Sequence, residues 1–308
     1  MYSHNICEIT SVVITTKDRW DFLLRAINSV VSNTILPKYI VIVNDGERIE
    51  KENLLNSIPK NIQLTLINNE YSKGANASRN IGISNCVTDL IFLLDDDDAL
   101  TSTSIEDRLS VIKNSPSTVI AYTGVQFVYS NNLEHVKRTL PPHSLSHDSN
   151  QNIKTLLKNG NLIGSTSRAC IRKEAFLLAG KFDENLTCLQ DYDLWLRMSK
   201  LGNIEHDNKS NIIYTIHCSG KQISSQHQKY LTTGLILYNK YKDDICMLKL
   251  QRKFLSQIYL RVAIITSRNS TKNKIKYCLT SLRYDLKIKT LLLLILPSFI
   301  IKKIHPYN

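Results

Sequence analysis

The sequence predicts an α/β fold in which a mostly parallel, Rossmann-like sheet is flanked by helices and followed by a helical C-terminal extension. Short, continuous apolar runs alternate with stretches of helical periodicity, as expected for strands that are buried on both faces. A length of 308 residues suffices for one large domain and an added segment. Because the basic residues concentrate near the C-terminus, we divide the chain into a domain at 1–220 and an extension at 221–308.

The first hundred residues are predicted to alternate strictly between strands and helices. Ser11–Thr15 is a β-branched run, and Lys17–Ser32 has helical apolar spacing with Asp18 or Thr16 as its N-cap. The remaining elements of this part are strands at Tyr39–Val43, Gln63–Ile67 and Leu90–Leu94 and helices at Glu50–Ser57 and Ala75–Ser84.

After Asp98 the pattern is less regular. The polar segment Leu133–Asn150 is predicted to be a loop, and the chain from Gln226 onward is predicted to be mostly helical. Between them we expect helices at Ser104–Asn114, Asn152–Lys158, Lys173–Ala179 and Gln190–Leu201, a strand pair or one long strand at Val119–Tyr129, and strands at Ser167–Ile171 and Asn211–Ile216.

The net charge of +12 is unevenly distributed. Residues 1–220 contain 22 Lys and Arg against 24 Asp and Glu, a net charge of −2. Residues 221–308 contain 17 basic and 3 acidic residues, a net charge of +14. The partner of the basic extension is therefore expected to differ from the substrate of the N-terminal domain.

The spacing of the cysteines and the lack of a signal-peptide pattern suggest a cytoplasmic protein. The seven cysteines are widely spaced without a C-x-x-C pair, which favours reduced thiols over a disulfide framework or a structural zinc site. We find no signal-peptide pattern and no uncharged apolar run long enough to span a bilayer. The expected location is the cytoplasm, with peripheral attachment to the inner face of the cell membrane.

Four consecutive aspartates, Asp95–Asp98, follow directly on the buried strand that ends at Leu94. Such a run repels itself unless a cation is present, and Mn²⁺ or Mg²⁺ commonly bridges carboxylates to a diphosphate. Since side chains alternate at a strand end, Asp95 and Asp97 are expected to differ in role from Asp96 and Asp98. The alternative interpretation is an acidic solvated loop or a helix N-cap cluster.

Five segments stand out in one order along the chain. They are VITTKDR at Val13–Arg19, IVNDG at Ile42–Gly46, GANASRNIG at Gly74–Gly82, the run Asp95–Asp98, and QDYDLWLR at Gln190–Arg197. Together they resemble motifs of the inverting glycosyltransferases of family 2, which have the GT-A fold and a D-x-D element, and in particular those of the bacterial surface-polysaccharide type. The resemblance covers about Ser11–Gly220 and implies a nucleotide-diphosphate sugar as the donor.

The resemblance implies which residues hold the donor and its metal ion. Asp45 would accept a hydrogen bond from the base, and Asp97 would ligate Mn²⁺ or Mg²⁺ at the diphosphate. The alternatives are a turn-forming role for Asp45 and a structural ion pair for Arg79. The full set of expected donor-binding residues is Thr15, Asp18, Arg19, Asp45, Arg79, Asp95 and Asp96.

Asp191 is the candidate general base, which would take the proton of the acceptor hydroxyl. The family has Glu before this aspartate, whereas this chain has Gln190, a change that removes one negative charge. Asp193 is the rival, and for both the alternative is complementation of the helix dipole. His217, at the end of the last strand, is the second expected metal ligand, with a merely hydrogen-bonded histidine as the alternative.

The basic extension is expected to contact an anionic membrane surface. The apolar segment Thr290–Ile301 is bracketed by Lys287 and Lys289 on one side and by Lys302 and Lys303 on the other, as in helices that lie in a membrane interface. The alternative is an ordinary terminal helix that packs on the domain.

These features together predict an inverting, metal-dependent glycosyltransferase with a lipid-linked oligosaccharide or polysaccharide acceptor and no nucleic-acid partner. A sugar nucleotidyltransferase is the alternative enzyme, but Thr15–Arg19 lacks the glycines of a phosphate loop. The non-enzymatic alternative is a nucleic-acid-binding protein that uses the basic extension.

Overall fold

The computed structural model describes residues 5–145, 149–217, 226–267 and 269–297. The predicted boundary between residues 220 and 221 lies outside the described residues, as do Lys302 and Lys303.

The strands belong to two sheets. Their bounds are β1 Asn5–Thr16, β2 Ile35–Asn44, β3 Gln63–Asn68, β4 Leu90–Asp95, β5 Ala99–Leu100, β6 Thr118–Tyr122, β7 Val125–Tyr129, β8 Arg138–Leu140, β9 Ala169–Arg172, β10 Asn203–His206 and β11 Ile212–Ile216.

Helices cover both faces of the larger sheet and form the C-terminal part. Their bounds are α1 Trp20–Val31, α2 Glu52–Leu55, α3 Ala75–Asn85, α4 Ser104–Asn114, α5 Ser149–Asn159, α6 Lys173–Leu178, α7 Gln190–Met198, α8 His227–Lys240, α9 Lys242–Met247, α10 Gln251–Thr266, α11 Thr271–Tyr284 and α12 Ile288–Ile295. A single 3₁₀ turn, Thr166–Arg168, precedes β9.

The larger sheet has seven strands in the order β10-β6-β9-β4-β1-β2-β3. Its pairs are parallel except that β9 runs antiparallel to both β4 and β6. The smaller sheet has the order β5-β11-β7-β8. The predicted α/β fold with a mostly parallel sheet, flanking helices and C-terminal helices is confirmed.

The strand register aligns the carboxyl ends of β1, β2 and β4. Thr15 lies opposite Asp95, and Thr16 lies opposite Asn44. The polar residues that follow these strands therefore meet at one edge of the sheet, where ligands bind in open α/β sheets.

Two apolar layers hold the helices against the larger sheet. On one face the layer includes Leu23 and Ile27 of α1 and Leu109 of α4. On the other face it includes Trp195 of α7 and Phe254 of α10. Leu194, Trp195 and Leu196 are fully buried and belong to this core.

Two glycines of the segment Gly74–Gly82 meet different steric demands. Gly74 precedes α3 with a φ of +87°, a conformation that residues with a Cβ rarely adopt. Gly82 lies where α3 crosses the sheet, and a Cβ there would stand 2.5 Å from a methyl carbon of Val13. The first glycine thus shapes the loop before α3, and the second allows α3 to approach the sheet.

A buried carboxylate links the C-terminal helices to the rest of the chain. Asp193 is fully buried, and its Oδ2 accepts a hydrogen bond from Arg197 at 2.7 Å. Its Oδ1 accepts one from the hydroxyl of Tyr241 at 2.9 Å and lies 2.8 Å from Nζ of Lys240. Because an unpaired buried charge is costly, these contacts secure α8 and Tyr241 against α7.

The structure differs from the sequence-based expectations at several elements. The expected loop Leu133–Asn150 contains β8 and the start of α5, and the short strands β5 and β10 were not predicted. The segment Val119–Tyr129 forms two strands that lie in different sheets. The expected N-cap of α1 is wrong, because Arg19 occupies that position and Asp18 instead has a φ of +53° and accepts a hydrogen bond from the N–H of Glu47.

The last helix has an apolar face that is open to solvent. Thr290 and Leu293 are buried against α10 and α11, whereas Leu292 and Ile295 are 53% and 79% exposed. Among the described residues, no helix combines the length and the apolarity that are needed to cross a membrane.

Candidate active site

A cleft of about 870 Å³ opens at the carboxyl edge of the larger sheet. The ends of β1, β2 and β4, the loop before α3, the segment 159–166 and the start of α7 contribute to its walls, together with residues of α8 and α10. Of the expected site residues, those that line it are Thr15, Arg19, Asp45, Arg79, Asp95, Asp97, Asp191 and His217.

The four consecutive aspartates divide into two pairs. Asp95 and Asp97 line the cleft, whereas Asp96 and Asp98 are buried behind it. Asp98 accepts a hydrogen bond from the N–H of Thr215, and burial raises its pKa well above the usual value. The predicted difference in role between alternate aspartates is thus visible in their surroundings.

Asp96 lies behind the cleft and contacts Arg19, which lines it. Its carboxylate pairs with the guanidinium of Arg19 and accepts a hydrogen bond from the hydroxyl of Thr16 at 2.6 Å. Burial raises the pKa of Asp96 to about 6 despite the charge of Arg19. Asp96 was expected among the donor-binding residues, but it is fully buried and holds Arg19 in place at the cleft wall.

Asp97 and His217 form a pair in the cleft. Nε2 of His217 lies 2.8 Å from Oδ2 of Asp97, and Arg19 donates to the same oxygen at 2.7 Å. Burial alone would raise the pKa of Asp97, but the hydrogen bond from His217 and the charge of Arg19 outweigh it and lower the pKa. Arg25 supports the pair from behind by donating to the backbone oxygen of Asp97 at 3.0 Å.

Nε2 of His217 and Oδ2 of Asp97 are as far apart as two hydrogen-bonded atoms, and two adjacent ligand atoms of an octahedral cation have a similar separation. Neighbouring ligand atoms about 2.1 Å from Mg²⁺ stand about 3 Å apart. Within the described residues, no group of three or more His, Cys, Asp or Glu side chains could enclose a metal ion. A cation held by this pair would therefore need further ligands from substrate and water, and a metal site here stays a prediction.

Arg79 has one paired and one unpaired amino group. Its Nη2 donates to Oδ1 of Asp95 at 2.6 Å, as expected for a structural ion pair. Among the described residues, neither its buried Nη1 nor the buried Oγ of Ser165 in the cleft wall has a hydrogen-bond partner. Buried polar groups without partners are rare in folded proteins.

Asp45 organises the loop before α3. Its carboxylate accepts hydrogen bonds from the N–H groups of Lys73 and Gly74 at 2.7 and 2.9 Å and from the side chains of Asn69 and Ser72. Burial alone would raise the pKa of Asp45, but these hydrogen bonds outweigh it and lower the pKa. The carboxylate thus fixes the cleft wall, and its contact with a base stays a prediction.

Asp191 lies at the N-terminus of α7 on the wall of the cleft. Its Oδ2 accepts a hydrogen bond from the amide of Asn161 at 2.9 Å, and its Oδ1 accepts one from the N–H of Tyr192 at 2.7 Å. Burial raises the pKa of Asp191 to about 6, although these hydrogen bonds act in the opposite direction. A carboxylate in this state can accept a proton near neutral pH.

Asp193 does not compete with Asp191 for this role. It lies outside the cleft, where its contacts with Arg197, Lys240 and Tyr241 hold the C-terminal helices. The two aspartates are two residues apart on one helix and therefore point in different directions.

Asp18 also lies outside the cleft, where it accepts a hydrogen bond from the N–H of Glu47. Sequence reasoning missed several residues that do line the cleft. Asn161 and Ser165 belong to a segment without a predicted element, and Tyr230, Gln257 and Arg261 belong to the C-terminal helices. None of them lies in a recognisable motif, so only the folded chain brings them to Asp191.

Known proteins resemble this chain in sequence and in fold. An uncharacterized glycosyltransferase of Haemophilus influenzae is 28% identical over 189 residues, which are 61% of this chain and 61% of that protein. The chain therefore spans less than two thirds of that relative. The UDP-Gal:alpha-D-GlcNAc-diphosphoundecaprenol beta-1,3-galactosyltransferase of Escherichia coli is 24% identical over 210 residues, which are 68% of this chain and 73% of that protein.

Solved structures of S. aureus TarS share the fold. One of them superposes with a TM-score of 0.59 at 14% identity and covers 91% of this chain and 50% of that chain. A structure of TarS residues 1–349 in complex with UDP-GlcNAc superposes with a TM-score of 0.57 at 13% identity and covers 92% of this chain and 90% of that chain. The predicted GT-A fold is confirmed.

The sequence model of the family described as glycosyl transferase family 2 matches residues 11–177. The match covers more than half of the chain and includes four of the five segments on which the resemblance was based. The sugar nucleotidyltransferase alternative is thereby excluded, and the chain belongs to glycosyl transferase family 2.

Proposed function

We propose that the protein transfers a sugar from a nucleotide-diphosphate donor to a glycan acceptor, with inversion at the anomeric carbon and with the help of a divalent cation. The observation that carries this proposal is that one cleft holds a carboxylate–histidine pair, Asp97 and His217, and a separate carboxylate with a raised pKa, Asp191. The first suits a leaving diphosphate, and the second suits a proton-accepting base.

The donor is proposed to be a UDP-sugar. The E. coli relative is named for UDP-galactose, and the TarS neighbours are complexes with UDP and with UDP-GlcNAc. Thr15, Arg19 and Asp45 would surround the nucleotide. The unpartnered Nη1 of Arg79 would then find an acceptor on the donor.

Asp97 and His217 would hold Mn²⁺ or Mg²⁺ against the diphosphate of the donor. A cation bound there would neutralise the charge that develops on the diphosphate as it leaves. Arg19, which already contacts Asp97, adds a fixed positive charge beside the same site.

Asp191 would act as the base of a single displacement. Its carboxylate takes the proton of the acceptor hydroxyl while that oxygen forms a bond to the anomeric carbon, and the bond from that carbon to the diphosphate breaks. Attack from the face opposite the leaving group inverts the configuration. Asn161 and the N–H of Tyr192 orient the carboxylate for this proton transfer.

The acceptor is proposed to be lipid-linked and to be reached at a membrane surface. The name of the E. coli relative specifies a diphosphoundecaprenol acceptor. The exposed face of α12, with Leu291, Leu292 and Ile295 beside the exposed Lys289, combines apolar area with positive charge. Such a face can lie in the interface of an anionic bilayer.

Replacing the base should stop chemistry without preventing donor binding. In Asp191→Asn, kcat should fall by about 10²–10⁴-fold, because the amide cannot take the proton. Release of UDP in an acceptor-dependent assay and calorimetric titration with UDP measure the two effects. Asp89→Asn, at an exposed aspartate, serves as the control and should keep full activity. A fully active Asp191→Asn enzyme would exclude Asp191 as the base.

The pH profile should report the raised pKa of Asp191. Because the base works only when it is deprotonated, kcat/KM should decline as the pH falls through about 6. The hydrogen bond from Asn161 favours the charged form, so Asn161→Ala should move the midpoint to higher pH. Asn131→Ala, at an exposed position, should leave it in place. A midpoint that is the same in Asn161→Ala and the wild type would contradict the assignment.

Removing His217 should weaken the metal site. In His217→Asn, the Mn²⁺ concentration needed for half-maximal activity should increase by about tenfold or more, since one of two side-chain ligands is lost. His135→Asn, at an exposed histidine, is the matched control and should not change the Mn²⁺ titration. Wild-type activity that persists in excess chelator would refute the metal dependence.

Membrane attachment should depend on the exposed face of α12. The wild-type protein should float with vesicles that contain anionic phospholipid, and the triple variant Leu291→Ser/Leu292→Ser/Ile295→Ser should remain in the dense fraction. The double variant Leu177→Ser/Leu178→Ser, which alters exposed leucines of α6, should float like the wild type. Equal flotation of the triple variant and the wild type would refute this role of α12.

A further inference from the structure

The C-terminal helices contribute directly to the wall of the cleft. Tyr230 of α8 and Gln257 and Arg261 of α10 line it together with Asn161 and Asp191. These three residues lie beyond residue 177, where the match to the family ends. These three residues therefore lie outside the part of the chain that matches the family model.

Arg261 brings a positive charge to the neighbourhood of the base. Arg261, Cys188, Tyr230 and Asp191 all line the cleft. Tyr230 supplies an uncharged phenol there, because burial raises its pKa to about 12.

A second cation stands behind this wall. Nζ of Lys287 donates a hydrogen bond to Oε1 of Gln257 at 2.8 Å, and the amide of Gln257 donates to the backbone oxygen of Asn159 at 2.8 Å. Gln257 is thereby clamped between the end of α5 and the start of α12. Gln257, which lines the cleft, is thus connected directly to the residue that precedes α12.

We propose that Arg261 binds a phosphate or diphosphate group of the acceptor, with Lys287 as a supporting charge. This inference rests on the proposed function and specifies its acceptor. The donor diphosphate is assigned to Asp97, His217 and Arg19, and Arg261 is a further cation that lines the same cleft as Asp191. A guanidinium presents paired N–H donors that match phosphate oxygens.

The arrangement orders three parts of a lipid-linked acceptor. The sugar hydroxyl reaches Asp191, the anionic group attached to that sugar contacts Arg261, and an apolar chain continues along α12. The hydroxyl thus meets a base, the anionic group meets a cation, and the apolar chain meets exposed leucines.

The test is calorimetric binding of undecyl diphosphate to the full chain with saturating UDP and Mg²⁺, so that the donor site is filled. Arg261→Gln should weaken this binding by about tenfold or more, as expected for the loss of a charge-assisted contact of about 1.5–3 kcal/mol. Arg261→Lys should bind with intermediate affinity. Arg252→Gln is the matched control, because Arg252 lies on the same helix but donates to backbone oxygens of Arg283 and Tyr284 outside the cleft.

The outcomes separate this inference from the proposed function. Wild-type protein that binds UDP but not undecyl diphosphate, or Arg261→Gln that binds undecyl diphosphate like the wild type, would overturn the role of Arg261 and leave the proposed function intact. Failure of the wild type to bind UDP or any UDP-sugar would instead overturn the proposed function. Inorganic pyrophosphate that binds more weakly but with the same dependence on Arg261 supports recognition of the anion itself.

Discussion

Four consecutive carboxylates at the end of a buried strand repel one another, and the rest of the site is arranged around this repulsion. Asp96 and Asp98 point inward, where the first pairs with Arg19 and the second has a pKa raised by burial. Asp97 points into the cleft beside His217 and Arg19. The basic residues around this strand end are thus required by the negative charge, and they leave one wall of the cleft suited to a cation and a diphosphate.

Helix α3 connects this wall to Asp191. Asp45 holds the loop before α3 through the N–H groups of Lys73 and Gly74. From the same helix, Asn80 donates to the backbone oxygen of Phe182 and accepts from its N–H, which fixes the segment that leads into α7. The motif around α3 therefore acts as a spacer, and it sets the position of Asp191 relative to the strand ends.

The C-terminal helices belong to the same folded unit as the catalytic part. Phe254 and Leu237 are part of the apolar layer that covers the sheet, and Lys240 and Tyr241 satisfy the buried carboxylate of Asp193. The positive charge that distinguished residues 221–308 in the sequence is therefore used in several ways. Lys240 stabilises the fold, Arg261 lines the cleft, Lys287 holds Gln257, and Lys289 is exposed beside the apolar face of α12.

The sequence by itself determined the alternation of strands and helices up to β4, the different surroundings of alternate aspartates and the residues at the strand ends, because these depend on local periodicity and on side chains that adjoin an element. It could not determine that Asn161 orients Asp191, that Asp193 is buried by the C-terminal helices, or that Arg261 reaches the cleft. Those contacts join residues 30 or more positions apart, and no local pattern encodes them. Only the packing of α7, α8 and α10 against the sheet brings these side chains to one place.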